Sequence, residues 1–199
     1  MFEPYGAPHA IQHRVGDKIH VVTVRFSIAK KEARSGHNAG GEEHGKHAKN
    51  NIGVSVIRAS RELELQTGWC NGYDPRDRWW GVEVDFPPAL DEVFGVPNNK
   101  QGARALAEFA ALDLDQIAGR EGYASEQALI EAWNEEHDPR LILVKVKQLI
   151  NSNLGVIRAA IKSQHARSEK KRRHEDANSA ESRGKTVAEQ RDALRATSG

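Results

Sequence analysis

The stretch from Arg78 to Pro88, RWWGVEVDFPP, constrains the fold more than any other part of the chain. Trp80, Val82, Val84 and Phe86 alternate with Gly81, Glu83 and Asp85, the period-two pattern of a strand with one face buried and the other in water. Pro87 and Pro88 then end the ladder, because neither has a backbone N–H to donate. Such a strand needs partner strands beside it and a covering layer over its apolar face, and the chain has to supply both.

Two segments supply the partners. Lys18 to Ile28, KIHVVTVRFSI, places Val22, Val24, Phe26 and Ile28 on one face. IGVSVIR and RELELQ, joined around Ala59 and Ser60, read as a hairpin with Val54, Val56, Leu63 and Leu65 turned to the core. Between them, residues 29–51 are glycine-rich and charged with almost nothing apolar to bury, so a long flexible loop is expected.

Helices supply the cover. Leu90, Val93 and Phe94 form one short amphipathic turn that Gly95 terminates, and a polar loop, VPNNKQG, follows. Leu106, Phe109, Ala110 and Ile117 keep helical spacing from Ala103 to about Ala118. Ser125 caps a further helix carrying Leu129 and Trp133. After Pro139 a long helix is predicted to Lys162, its stripe drawn through Ile142, Val146, Leu149, Asn153 and Val156 and wanting a partner helix. The fold class that results is α+β, a small mixed sheet with helices on one face, then a helical pair and a tail. The expected divisions are 1–118 for the α+β domain, 119–163 for a helical extension and 164–199 for a charged, disordered tail or linker.

Composition excludes several classes of function. In 199 residues with 29% charged side chains the formal net charge is only +1, so no global field favours polyanions. The single cysteine, Cys70, rules out an internal disulfide and fits a reducing cytoplasm, the expected location. No run approaches the ~20 apolar residues that span a bilayer, and no membrane partner is expected.

Two runs, IGVSVIRASRELEL and DPRDRWWGVEVDFPPALDEVFGVPNNKQ, carry a resemblance extending from Ile52 through Gln101. This region resembles the transducer segment of bacterial GHKL ATPases, the gyrase, heat-shock chaperone, histidine kinase and MORC-like superfamily. There a transducer follows the nucleotide-binding domain and sends one lysine, in a loop written N-K-Q or T-K-Q, back to the γ-phosphate. The resemblance makes Lys100 that catalytic cation. Asn98, Asn99 and Gln101, with Lys100, form the implied cofactor-binding set, contacting phosphate or ordering the loop. Lysine suits the task as a compact cation on a flexible stem.

The superfamily's nucleotide-binding half carries an acidic water-activating residue with a nearby Asn, a D-x-G-x-G loop and a glycine-rich lid. None occurs here, nor does G-x-x-x-x-G-K-[ST]. The resemblance therefore implies ATP and Mg2+ bound mainly by a separate GHKL nucleotide-binding domain, in cis or in trans, with a homodimer possible. It also implies that this chain does not turn over ATP alone and represents a truncated or split product.

Other signals compete with bland accounts. His37, His44 and His47 near Glu42 and Glu43 offer metal-ligand chemistry, but their spacing fits no standard site and a solvated loop explains them; no metal site is expected. Cys70 has no neighbouring base in sequence, so a partly buried thiol beside Trp69 is the default over a nucleophile. Lys30, Lys31, Arg34, Lys46 and Lys49, with Lys170, Lys171, Arg172 and Arg173, support the alternative function: DNA or other nucleic acid bound through the basic loop or tail, or a scaffolding role, without any nucleotide link. By alternation Trp79 points outward, towards a missing ATPase domain, and shares its face with the carboxylates of Glu83 and Asp85.

Overall fold

The structure, a computed structural model, describes residues 1–36 and 38–176. The chain divides into two compact units, Met1–Ile161 and Lys162–Gly199. The first is an α+β unit built on a six-stranded mixed sheet. Its strands are β1 (Phe2–Pro4), β2 (His9–Val15), β3 (Lys18–Ala29), β4 (Val54–Arg58), β5 (Arg61–Gln66) and β6 (Trp80–Phe86), in the spatial order β1-β3-β6-β4-β5 with β2 also on β3. Only β4 and β6 run parallel; the other pairings are antiparallel.

The alternation in β6 is realised as expected. Trp80, Val82, Val84 and Phe86 are buried, opposite Ile28, Phe26 and Val24 of β3 and beside Val54 and Val56 of β4. Each such side chain contributes about 2 kcal/mol through burial. Arg25, Glu83 and Asp85 lie on the other face, where Arg25 donates to Asp85 at 3.2 Å.

Two edge strands come from a segment whose alternation is too polar to read. β1 and β2 pair with successive parts of β3, and residues 5–8 bulge out opposite residues 25–26. The β2–β3 turn is two residues long, with Gly16 at φ 58°, which the tight hairpin requires.

The β4–β5 hairpin forms where expected, with Ala59 and Ser60 both at positive φ, 50° and 65°. Leu63 packs against the core as expected, but a bulge between Val56 and Ile57 changes the facing of the residues after it. Val54 stands opposite Gln66 and Val56 opposite Glu64, so Glu64 shares the core face while Leu65, opposite Ser55, does not.

Among the described residues of 29–51, where a loop was expected, the chain forms α1 (Lys31–Arg34) and α2 (Glu43–Lys49). Small residues replace apolar bulk here: Ala39 and Ala48 are buried, and a Cβ on Gly45 would fall 2.2 Å from the Ala39 carbonyl oxygen. Close backbone approach is invisible to a hydrophobicity count.

The cover consists of α3 (Asp91–Phe94), α4 (Arg104–Ala111), α5 (Leu114–Glu121), α6 (Glu126–Glu135) and the start of α7 (Leu141–Asp176). The single helix expected over 103–118 breaks at Leu112, because the Asp113 carboxylate caps a new helix by accepting from Asp115 N at 3.1 Å. Ser125 caps α6 as expected, accepting from Ala128 N.

In α7 the stripe differs from the one drawn from sequence. Ile142, Val146, Ile150, Leu154, Ile157 and Ile161 are buried, whereas Val156 is 58% exposed and Asn153 donates to the Leu149 carbonyl. Taking the three-residue step too early rotates the reading off the true face. Leu129, Trp133 and these α7 residues share one core with the sheet, so most of 119–163, expected as an extension, packs within the first unit. Helix α7 continues to Asp176, so the expected tail is helical in its first part; residues 177–199 lie outside the described residues. Among the described residues no helix is long and apolar enough to cross a membrane.

Candidate functional site

The loop carrying Asn98, Asn99, Lys100 and Gln101 leaves the sheet at the end of β6. Pro88–Leu90 makes a 3-10 turn, α3 adds four residues, and Gly95 closes the helix in the left-handed region at φ 68°, its N–H reaching the Asp91 and Glu92 carbonyls. Side chains brace this entry. The Phe94 ring stacks on Phe86 with centroids 4.0 Å apart. Arg58 of β4 holds the Asp91 carboxylate with two bonds, 2.5 and 2.7 Å.

The exit is braced as firmly. Arg104 N donates to the Gly95 carbonyl at 3.2 Å, which closes the neck of the loop. Ala103 N donates to the Glu64 carboxylate, and a Cβ on Gly102 would sit 3.0 Å from that same group. Glu64 was missed from sequence because strand alternation put it on the solvent face; only the bulge in the hairpin turns it inward.

Between these anchors the tip is open to solvent. Asn98, Asn99, Lys100 and Gln101 are all exposed. Lys100 N donates to the Pro97 carbonyl at 2.8 Å, and Lys100 itself sits at φ 52°, a conformation uncommon for a residue with a Cβ. Asn99 donates to Gln101 at 3.2 Å. Among the described residues the Lys100 ammonium has no hydrogen bond and no ion pair. The structure therefore groups the four expected residues on one tip, with the lysine uncommitted.

The β2–β3 hairpin overhangs this end of the sheet. Pairing between β3 and β6 stops at Thr23 and Asp85, so Lys18–Val22 runs past the end of β6, leaving Ile19 55% and Val21 42% exposed.

No family model matches this chain, and searches of curated proteins and of solved structures return no significant match.

The opposite end of the sheet holds a buried polar cluster that the sequence did not reveal. Asp77 is fully buried, and its carboxylate accepts from Arg158 of α7, from Trp80 Nε1 at 2.9 Å and from Asn71 N at 2.7 Å. Burial pushes this carboxyl up, but Arg158 and the other donors outweigh it and hold it below the ordinary aspartate range. A basic residue beside the apolar stripe of α7 was the available signal. Trp79 is 4% exposed and part of this core, so its expected outward position is corrected: it lies in the 3-10 turn Asp77–Trp79 before the strand, where alternation does not apply.

Cys70 borders the same cluster. Burial first, then the Asp77 charge, pushes its thiol up to about 11, against the opposing effect of Arg158. A thiol so held is a poor nucleophile at neutral pH. Among the described residues no group of three or more His, Cys, Asp or Glu side chains is placed to hold a metal ion. His44 and His47 are exposed on α2, and His37 lies outside the described residues.

Proposed function

We propose that this chain is a relay module of the GHKL transducer type, placing Lys100 against the terminal phosphate of ATP held by a separate nucleotide-binding domain. One observation supports it above the others: an uncommitted lysine at the exposed tip of a loop whose two ends are fixed. A fixed base positions the ammonium, and the open tip lets it enter and leave another domain's pocket.

The residues fit a contribution to a polyphosphate site rather than a complete one. Grooves of about 430 and 160 Å3 lie elsewhere on the unit, and neither is lined by residues 98–101. ATP with Mg2+ supplies concentrated negative charge on the phosphate oxygens. Lys100 offsets that charge inside a water-poor pocket, where one cation counts for more than in bulk solvent. Asn98 is free to donate from its amide, and Asn99 and Gln101 hold the loop tip by bonding each other. When the phosphate leaves, the lysine loses its partner and the tip relaxes, which turns bond cleavage into movement.

The test is to mix the chain with a GHKL nucleotide-binding domain and compare ATP turnover for wild type, Lys100→Ala and Lys100→Arg. A fall of roughly tenfold or more in both variants, with unchanged melting temperature, supports the relay. Equal rates in all three discard it.

A second reading draws on α2, whose exposed face carries His44, Lys46, His47 and Lys49. This surface suits nucleic-acid phosphates, with the chain acting as a binding or scaffolding module. DNA binding that weakens steeply with salt, and is untouched by Lys100→Ala, distinguishes it.

A further inference from the structure

The edge strands of the sheet differ in how they are protected. β1 is three residues long and ends in Pro4, while β5 carries the charges Arg61, Glu62 and Glu64 and faces the bulge in β4. Short length, proline, charge and bulges all discourage a further strand from pairing. β2 has seven residues, no proline, no lysine and no register shift against β3, and Arg14 is its one permanent charge. Its pairing fixes where its backbone groups point. The two-residue turn of Gly16 and Asp17 makes Val15 and Lys18 a hydrogen-bonded pair, so His13, Ile11 and His9 also exchange bonds with β3. The same parity puts the Phe26 carbonyl on this side of β3, where it accepts from Tyr5 N at 2.8 Å. The N–H and C=O groups of Ala10, Gln12 and Arg14 therefore point away from the sheet; all three residues are exposed, with no backbone partner on that side among the described residues.

A groove of about 160 Å3 lies beside this edge, lined by Gln12, His13 and Arg14 of the strand and by Asn134, Asp138 and Lys145 at the corner between α6 and α7, among others. Alternation sends the side chains of β2 to two faces: Ile11 and His13 turn to the helices, opposite Val22 and His20, and Ala10, Gln12 and Arg14 turn to the open face of the sheet. Burial, then Lys145 and His20, push the His13 ring below its ordinary pKa, which places the Lys145 charge on the helix side of the strand. Asp138, the acid of the groove, is already held by Arg140 at 3.0 and 2.6 Å. Lys145 and Arg14 have no ion pair among the described residues. The edge thus has one uncommitted cation on each of its faces.

We propose that β2 takes up an extended acidic segment of a partner protein as an added strand. Its backbone pairs with Ala10, Gln12 and Arg14, and of two consecutive carboxylates one reaches Lys145 in the groove and the other reaches Arg14. A strand sends successive side chains to alternate faces, so two cations on opposite faces of the edge read two neighbouring residues. Backbone pairing supplies affinity with little sequence preference, and the cations supply the choice of an acidic partner. The groove is smaller than the usual small-molecule site and has the scale of a single side chain. Val15, 39% exposed at the end of the strand, offers apolar contact to a residue flanking the acids.

The test is NMR titration of the full chain in low-salt buffer with the blocked hexapeptide Thr-Val-Asp-Glu-Val-Thr, and separately with the same peptide carrying Lys-Lys in place of Asp-Glu. Saturable shifts at roughly millimolar acidic peptide are expected, with the Ala10, Gln12 and Arg14 amides slowed in hydrogen exchange and the basic peptide bound at least tenfold more weakly. Gln12→Pro takes no bond from the β2–β3 ladder and abolishes binding. Arg14→Ala and Lys145→Ala, both at exposed positions, each weaken it about threefold, while Lys100→Ala leaves it unchanged. Equal affinity for the two peptides overturns the proposal, as does saturable binding that leaves the three amides exchanging freely or that neither alanine variant weakens. Dimerisation of the chain alone that Gln12→Pro disrupts overturns it too, because a second copy then occupies the edge.

Discussion

Arg158, on the long C-terminal helix, grips the buried carboxylate of Asp77 in two-point fashion, Nε to Oδ1 at 2.7 Å and Nη2 to Oδ2 at 2.8 Å. The same guanidinium donates to the Trp69 carbonyl at 2.9 Å and lies 5.6 Å from the Trp80 ring. Helix α7 is thereby fixed to the end of the sheet opposite the Lys100 loop. With Trp80 Nε1 and Asn71 N also donating, Asp77 is a fully satisfied buried charge.

Asp77→Asn removes the charge and leaves Arg158 without its counter-ion, so it is expected to cost about 3 kcal/mol in urea unfolding. Asp77→Leu combined with Arg158→Met recovers only part of that loss, since Trp80 Nε1 and Asn71 N stay unsatisfied. Full recovery in the double variant would show that only the charge pair matters.

The pH dependence follows from the direction of the shift. Asp77 sits below its unfolded pKa of about 3.9, so its contribution is complete above that pH and is lost as pH falls through the lower folded value. Urea midpoints measured from pH 5 to 2.5 should fall for the wild type and vary less for Asp77→Asn.

Gly95→Ala tests the neck of the lysine loop. The added Cβ meets Ala105 N at 2.6 Å and the backbone is at φ 68°, so a loss of about 1–3 kcal/mol is expected. Lys100→Ala, at an exposed tip, should change stability by less than about 0.5 kcal/mol. Thermal melts of the two variants separate the loop's frame from its tip.

The β4–β5 turn offers a gain. Ala59 and Ser60 occupy two positive-φ positions that favour Asn-Gly, so Ala59→Asn with Ser60→Gly is expected to stabilise by about 1 kcal/mol. An unchanged denaturation midpoint would mean the turn carries little strain.

Cys70, with its thiol pushed up to about 11, should react with a disulfide reagent at pH 8 far more slowly in the folded chain than in urea. Equal rates would contradict its burial beside Asp77.

What the sequence determined by itself is the part governed by local periodicity. The buried face of β6, its apolar partners on β3, the stop at Pro87, the Gly95 terminus, the Ser125 cap and the loop that bears Lys100 all follow from spacing and backbone chemistry within a few residues. The tertiary structure decided whatever depends on partners distant in the chain. Glu64 turns inward only because a bulge shifts β5 against β4; α2 is held by close backbone packing at Gly45; and Asp77 is tolerated in the core only because Arg158, 81 positions later, arrives to neutralise it. A side chain's facing follows from its own strand or helix, but whether a buried charge or a tight approach is stable depends on what the fold brings against it.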